Sequence, residues 1–485
     1  MFSYEHIIPI EKKSKIPVYR QIAISIINAI RNGIFKPGTH LPSSRELAKT
    51  LCVHRKTVIA AYEELNTQDW IVIIPRKHVA VSQYIPLLKP QKWDEETITS
   101  SYGHEFKLPF DTVNENLNEE TISTALDIII DDGYPDVRLS PIDELLKTYR
   151  SLTYRKYGIK NANKGTTQGT LKLRDELVNY LSETRGLNIS AANILITHGA
   201  QMSIYLSAHL LLNPTSSIIV GKPNYPIANM AFERTGAKLI EVDVDEYGID
   251  TDKIEAICEK TKINAVYVIP HHHYPTTVTL SVARRMKLLE LSKQFSFAII
   301  EDDYDYDYHY TSSPYLPLAS ANHNGNIIYI GSFSKILDPS IRIGFMVAPA
   351  NFIVQCTALR KVIDFGGDGY MQNSLATLIN EGELKRHLKK AKKCYLKRRD
   401  YLDQLLNEHL AKYISYTLPT GGMAIWIKLN PDFPVEAMTK YNLKINRLDS
   451  AQNAFRFGFA SLDEKELEMT VKALKENILS IENTL

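Results

Sequence analysis

An α/β protein with a smaller, separate helical domain at its N-terminus is the fold class that the sequence predicts. Three observations carry that expectation. From residue 110 onward, short runs of Ile, Val and Ala alternate with longer segments of helical period, the pattern of a mostly parallel sheet covered on both faces. Before it, residues 17–67 show helical period only. And 485 residues, at about 150 per domain, leave room for about three domains.

Charge divides the chain in the same place. The formal total is only +2, from 57 Lys and Arg against 55 Asp and Glu, yet residues 1–82 hold twelve basic and six acidic side chains. That segment therefore carries +6 and the rest −4, which points to a polyanionic partner for the first part alone. At 44% hydrophobic and 23% charged, the composition excludes a mainly disordered chain. No run reaches the roughly 18 apolar residues of a membrane span, and Glu5, Glu11, Lys12 and Lys13 interrupt any signal core, so neither membrane insertion nor export is expected. Cys52, Cys258, Cys356 and Cys394 form no CxxC pair and no dense disulfide framework, as suits a cytoplasmic protein.

The elements follow in order. Ile22, Ile26, Ala29 and Ile30 recur at helical spacing over residues 17–32, and Gly33 with Pro37-Gly38 ends that helix. Ser43 or Ser44 caps a short helix running to about Leu51. After a tight connection at residues 52–54, a further helix spans 55 to about 67, with Val58, Ala61, Tyr62 and Leu65 inward. Two short helices around a brief turn form a helix-turn-helix. Residues 70–74 and 78–81 read as the two strands of a wing around Pro75-Arg76-Lys77, and the prolines at 86, 90 and 109 mark a linker. The expected domains are thus 1–82, a linker at 83–109, and 110–485 with a small C-terminal part from about 370.

In the large part, strands are expected at 194–197, 217–220, 238–242, 265–269, 297–301, 327–331 and 344–348. A long basic helix at 384–406, a strand at 423–429 and a helix from about Asp463 form a smaller α+β terminal portion. The basic helix reads as a solvated face, with a second DNA-contacting track as the sharper alternative.

A helix that enters the major groove needs short polar or basic side chains early on its exposed face, with cations and hydroxyls nearby for phosphates. Arg45, His54, Arg55, Lys56 and Thr57 meet that need, and Arg76 and Lys77 sit at the wing tip. The run LPSSRELAKTLCVHRKTVIAAYEEL resembles the winged helix-turn-helix of the GntR family. By that resemblance Arg45, Arg55 and Thr57 touch double-stranded operator DNA. The wing departs from the family by lacking glycines, so that Arg76 and Lys77 would reach the groove as side chains.

The second constellation is Ile328-Tyr329-Ile330-Gly331-Ser332-Phe333-Ser334-Lys335, with Arg342 seven residues on. A lysine just after a strand, among hydroxyls and near an arginine, suits a Schiff base beside a phosphate. Glu301-Asp302-Asp303-Tyr304 ends a buried strand, where a carboxylate can keep a pyridine nitrogen protonated. His198-Gly199-Ala200-Gln201 opens a helix, offering free N–H groups to a phosphate.

Together these resemble the fold-type-I pyridoxal phosphate enzymes of the aspartate aminotransferase group. With the N-terminal domain, the chain resembles the MocR-type regulators, a GntR reader fused to an aminotransferase-like domain. The resemblance implies pyridoxal 5'-phosphate as cofactor, Lys335 as the residue that bonds its aldehyde, Asp302 on the pyridinium nitrogen and Tyr304 on the ring hydroxyl. Ala200, Gln201, Ser332, Ser334 and Arg342 would hold the phosphate, Tyr225 would stack on the ring, and Arg456 would bind an effector carboxylate. Lys164, Thr277, His271 and His273 depart from the family's usual residues. Adjacent histidines cannot all point one way on a strand, so 271–273 with the neighbouring acids predict no metal site. The resemblance further implies a homodimer that answers pyridoxal phosphate, or its adduct with an amino acid, by changing DNA binding, in the control of vitamin B6 or amino-acid metabolism. A catalytically active aminotransferase with an accessory N-terminal domain is the alternative.

Overall fold

The N-terminal helical period is realised as helices Val18–Arg31, Ser44–Thr50 and Arg55–Thr67 in a computed structural model that describes residues 3–11, 14–74, 77–85, 108–109, 128–154, 156, 167–310, 315–439 and 443–482. Contacts divide the chain into two compact units, Met1–Glu120 and Thr121–Leu485. In the first, Ile22, Ile26, Leu47, Val58, Ala61 and Leu65 pack into one core. Ser43 caps the second helix, its Oγ accepting the Glu46 N–H at 3.2 Å, a contact worth about 1 kcal/mol. His54 caps the third, Nδ1 accepting from the Lys56 N–H at 3.2 Å. The wing has three strands where the sequence predicts two. Strand β1 (His40–Leu41) pairs with β3 (His78–Val81), which pairs with β2 (Ile71–Ile74), all antiparallel. Two residues carry no readable period, which is why β1 escapes a sequence pattern.

The second unit begins with β4 (Ile128–Ile130) and a sheet of eight strands: β5 (Ile194–Thr197), β6 (Ser217–Lys222), β7 (Lys238–Asp245), β8 (Gly248–Ile249), β9 (Ala265–Val268), β10 (Ala298–Asp303), β11 (Ile327–Ser332) and β12 (Gly344–Val347). Their spatial order is β5-β12-β11-β10-β9-β6-β7-β8. Neighbours from β7 to β11 run parallel, whereas β12 is antiparallel to β11 and β5, and β8 to β7. Strands β5, β9 and β12 are apolar and buried on both faces, as a sheet covered twice requires, whereas β7 toward the sheet's edge is partly exposed. Because β10 and β11 are parallel neighbours, with Asp302 opposite Ile330, their carboxyl ends open on one edge of the sheet, the place where such sheets bind ligands. Helix Gly199–Leu211 starts just after β5.

The C-terminal portion holds β13 (Ile414–Tyr416), β14 (Ala424–Leu429), β15 (Leu443–Ile445), β16 (Leu448–Asp449) and β17 (Ala454–Gly458), flanked by helices Glu383–Leu410 and Glu464–Glu482. Tyr395, Leu402, Phe455 and Leu467 lie in its core. Strand β4 pairs in parallel with β15, Leu443 opposite Ile128. The segment that precedes the large sheet in sequence is therefore built into the small portion, a pairing across some 300 residues that no local pattern announces.

Candidate cofactor and DNA-contacting sites

Nine of the residues singled out above converge. Lys335, Asp302, Tyr304, Tyr225, Ala200, Gln201, Ser332, Ser334 and Arg342 line one cavity of about 320 Å³, together with Asp132, Tyr134, Ile269, Tyr274 and Pro339. Strand β10 delivers Asp302 and, one residue past its end, Tyr304; β11 delivers Ser332 and the turn bearing Ser334 and Lys335. The turn is held by the Ser334 N–H donating to Ser332 Oγ at 3.1 Å.

Asp302 is buried, and its Oδ2 accepts from the Tyr267 hydroxyl at 2.7 Å. Burial raises its carboxyl to about 7 against the opposing bond from Tyr267. Lys335 Nζ donates to the Gly133 carbonyl at 2.7 Å and sits 4.5 Å from the Tyr134 ring centre. Desolvation lowers its pKa, which favours the neutral amine that a nucleophile needs. Tyr304 donates to the His272 carbonyl at 2.8 Å, and burial raises its pKa well above the usual value. Tyr225 meets Tyr274 edge-on, ring centres 5.4 Å apart.

Where Ala200 and Gln201 open helix Gly199–Leu211, Arg342 joins them on the cavity wall. Arg342 Nη2 donates to the His198 carbonyl at 3.2 Å. A Cβ on Gly199, whose φ is +74°, would stand 2.8 Å from that same nitrogen. Glycine suits both the left-handed backbone and this approach at the start of the helix, where N–H groups lack intrahelical partners.

Four buried atoms of residues lining this cavity have no hydrogen-bond partner among the described residues: Asp132 Oδ1, Asp302 Oδ1, Ser334 Oγ and Gln201 Oε1. A carboxylate oxygen free for a pyridinium nitrogen, a hydroxyl free for a phosphate, and a primary amine between them are the donor set that pyridoxal phosphate fits. Bound there, the cofactor supplies an aldehyde to condense with amines and a ring that withdraws electrons.

Arg456 lies behind the cavity, not on its wall. It is buried, with Nε donating to the Asp132 carbonyl at 2.7 Å, Nη1 to the Pro275 carbonyl at 2.8 Å and Nη2 to the Tyr304 hydroxyl at 3.0 Å. Among the described residues no carboxylate forms an ion pair with it. Its bonds to Asp132 and Tyr304 join it to two wall residues, and its guanidinium lies 5.1 Å from the ring centre of a third, Tyr274.

The three histidines diverge. His271 Nε2 lies 2.7 Å from the Tyr315 carbonyl, His272 Nδ1 2.9 Å from Asp305 Oδ1, and His273 Nδ1 2.8 Å from Thr276 Oγ1. Burial pushes His273 down to about 3, which keeps it neutral. Thr277, where the family has glycine, keeps the left-handed turn, with φ +62°. Lys164 and the segment around it lie outside the described residues.

In the N-terminal unit Arg45, His54, Arg55, Lys56 and Lys77 are exposed and Thr57 half-buried. Arg55 Nε donates to Ser44 Oγ at 3.3 Å, which brings the starts of the two short helices and their cations to one place. Arg76 lies outside the described residues.

Sequence reasoning missed Asp132, Gly133, Tyr134 and Tyr267. The first three form a compact Asp-Gly-Tyr run, a turn signal that marked the place without saying what it faces. Tyr267 reads as a core residue of β9.

A half-buried lysine, a partnered aspartate and a glycine-led helix start at the carboxyl edge of a mixed sheet define an aminotransferase-type fold with a pyridoxal phosphate site, here following a helix-turn-helix unit. Residues 141–474 match the family model of aminotransferase class I and II, and residues 18–81 that of bacterial regulatory proteins of the gntR family. The chain belongs to the aminotransferase class I and II family, and carries a GntR-type helix-turn-helix fused to it. It is 29% identical over 437 residues to the uncharacterized HTH-type transcriptional regulator YdfD of Bacillus subtilis, covering 89% of this chain and 88% of that one. It is 22% identical over 496 residues to a probable rhizopine catabolism regulatory protein, MocR, of Rhizobium meliloti, covering 98% and 96%. A kynurenine aminotransferase of Pyrococcus horikoshii, solved with PMP, superposes with a TM-score of 0.68 at 26% identity, covering 77% of this chain and 97% of that one. Among the described residues, no helix is long and apolar enough to cross a membrane.

Proposed function

We propose that the chain is a transcription regulator that reads operator DNA through residues 1–82 and senses pyridoxal phosphate, or its adduct with an amino acid, through residues 110–485, the stretch 83–109 linking them. The observation that carries this is the coexistence, in one chain, of an exposed cationic helix start and a cavity with an amine, a free carboxylate oxygen, an arginine and a helix start. Lys335 would hold the cofactor covalently, Asp302 its ring nitrogen, Tyr304 its ring hydroxyl, and Tyr225 its ring face. Ala200, Gln201, Ser332, Ser334 and Arg342 would take the phosphate, and Arg456 the effector carboxylate. Arg45, His54, Arg55, Lys56, Thr57, Arg76 and Lys77 would contact DNA.

Lys335 gives a route from ligand to conformation. Its amine holds the Gly133 carbonyl, close after β4, and a covalent partner on Nζ would release that carbonyl and bias the segment leading toward the DNA reader. The working form would be a homodimer in the cytoplasm. Purified protein given pyridoxal phosphate should gain a visible absorbance band that Lys335→Ala abolishes. A band that survives the substitution would sink the assignment of Lys335, and no band at all would sink the sensor. Rapid turnover of common amino acids would instead favour the aminotransferase reading, because the residues for amine condensation are present.

A further inference from the structure

Asp132 is a wall residue of the cofactor cavity that no role above uses. Its Oδ2 accepts from the Tyr274 hydroxyl at 3.0 Å. Its Oδ1 is buried and has no hydrogen-bond partner among the described residues. The nearby Lys335 amine donates to the Gly133 carbonyl and not to this carboxylate. A buried carboxylate oxygen left bare is costly, so one facing a cavity calls for a donor. Meanwhile the Asp132 carbonyl accepts Nε of Arg456 at 2.7 Å. One residue therefore fixes, through its backbone, the guanidinium expected to bind a carboxylate and, through its side chain, an anion a short distance away.

We propose that Asp132 is a specificity-determining residue that selects an amine ligand carrying, besides its carboxylate, a second ammonium group. The inference rests on the reading of this cavity as an effector pocket. A ligand with an aliphatic side chain leaves Oδ1 without a donor, and one with a second carboxylate meets like charge. A diamino acid places its carboxylate on Arg456, one amine at the cofactor and the other, protonated, against Asp132 in a charge-assisted hydrogen bond.

The test uses the full chain loaded with pyridoxal phosphate, titrated with L-2,4-diaminobutyrate, L-2-aminobutyrate and L-glutamate. Calorimetry and the change in visible absorbance both report binding. Diaminobutyrate should bind about tenfold or more tightly than aminobutyrate, with glutamate weakest. Asp132→Asn, which keeps the size and the acceptor for Tyr274, should bring the first two within about twofold and improve glutamate. Equal affinities in the unaltered protein would overturn the proposal without recourse to any variant. So would a preference that persists in Asp132→Asn, or a loaded protein that binds none of the three. Failure to load pyridoxal phosphate at all would instead overturn the pocket reading, and Asp132 with it.

Discussion

In the N-terminal unit the side chains expected to act, Arg45, Arg55, Lys56 and Lys77, are exposed, whereas in the C-terminal unit Asp302 and Arg456 are buried. An exposed cation costs little to the fold and acts by long-range attraction to phosphate. A buried charge must be paired, bonded or shifted in pKa, so it serves the fold and the ligand at once. Substitutions should consequently separate binding from stability in the first unit and damage both in the second.

The largest effect is expected at Arg456. Arg456→Met leaves the carbonyls of Asp132 and Pro275 and the Tyr304 hydroxyl without their donor, and should cost about 3 kcal/mol in urea unfolding of the full chain. Arg55→Ala should stay within about 0.5 kcal/mol in the same measurement while weakening specific DNA binding by about 1–3 kcal/mol in a titration. Equal stability losses for the two would break the contrast.

Lys56→Ala sharpens it from the other side. Its loss should reduce the slope of log affinity against log salt by about one, uniformly across DNA sequences. An unchanged slope would remove Lys56 from the interface.

The pH response belongs to the buried unit. Burial raises Asp302 to about 7 and Glu301 to about 8. The folded state therefore binds these protons more tightly than the unfolded chain. The stability so gained is full below pH 4 and is lost as pH rises toward 8. A pyridinium partner for Asp302 offsets its share of that loss. The gain in melting temperature on adding pyridoxal phosphate should accordingly be larger at pH 8 than at pH 6, by about 2–4 °C. A gain that shrinks with pH would argue against Asp302 as the charged partner.

The smallest effect is at Thr277, a β-branched residue at φ +62°. Thr277→Gly should raise stability by about 1 kcal/mol, with no change in DNA affinity.

The same contrast governs what the sequence could reveal. Helix Arg55–Thr67 and strand Ile194–Thr197 are legible to the residue, because their periods and caps are local. Lys335, Asp302 and Arg342 are legible because each sits in a short run with its own chemistry. Asp132 is not: it lines one cavity with Lys335 from some 200 residues away, and its meaning comes from the bare Oδ1 that only the fold reveals. Arg456 is expected as a carboxylate receptor by resemblance alone, and its place beside Tyr274 depends on β17 packing against the segment after β4.

The central claim is that one pocket controls one DNA reader. The direct measurement is the affinity of the full chain for DNA from its own promoter region, by fluorescence anisotropy at fixed salt, with and without pyridoxal phosphate, in the unaltered protein and in Lys335→Ala. The expected result is a cofactor-dependent change in affinity in the unaltered protein that vanishes in Lys335→Ala. Specific binding that is the same in all four cases would contradict it.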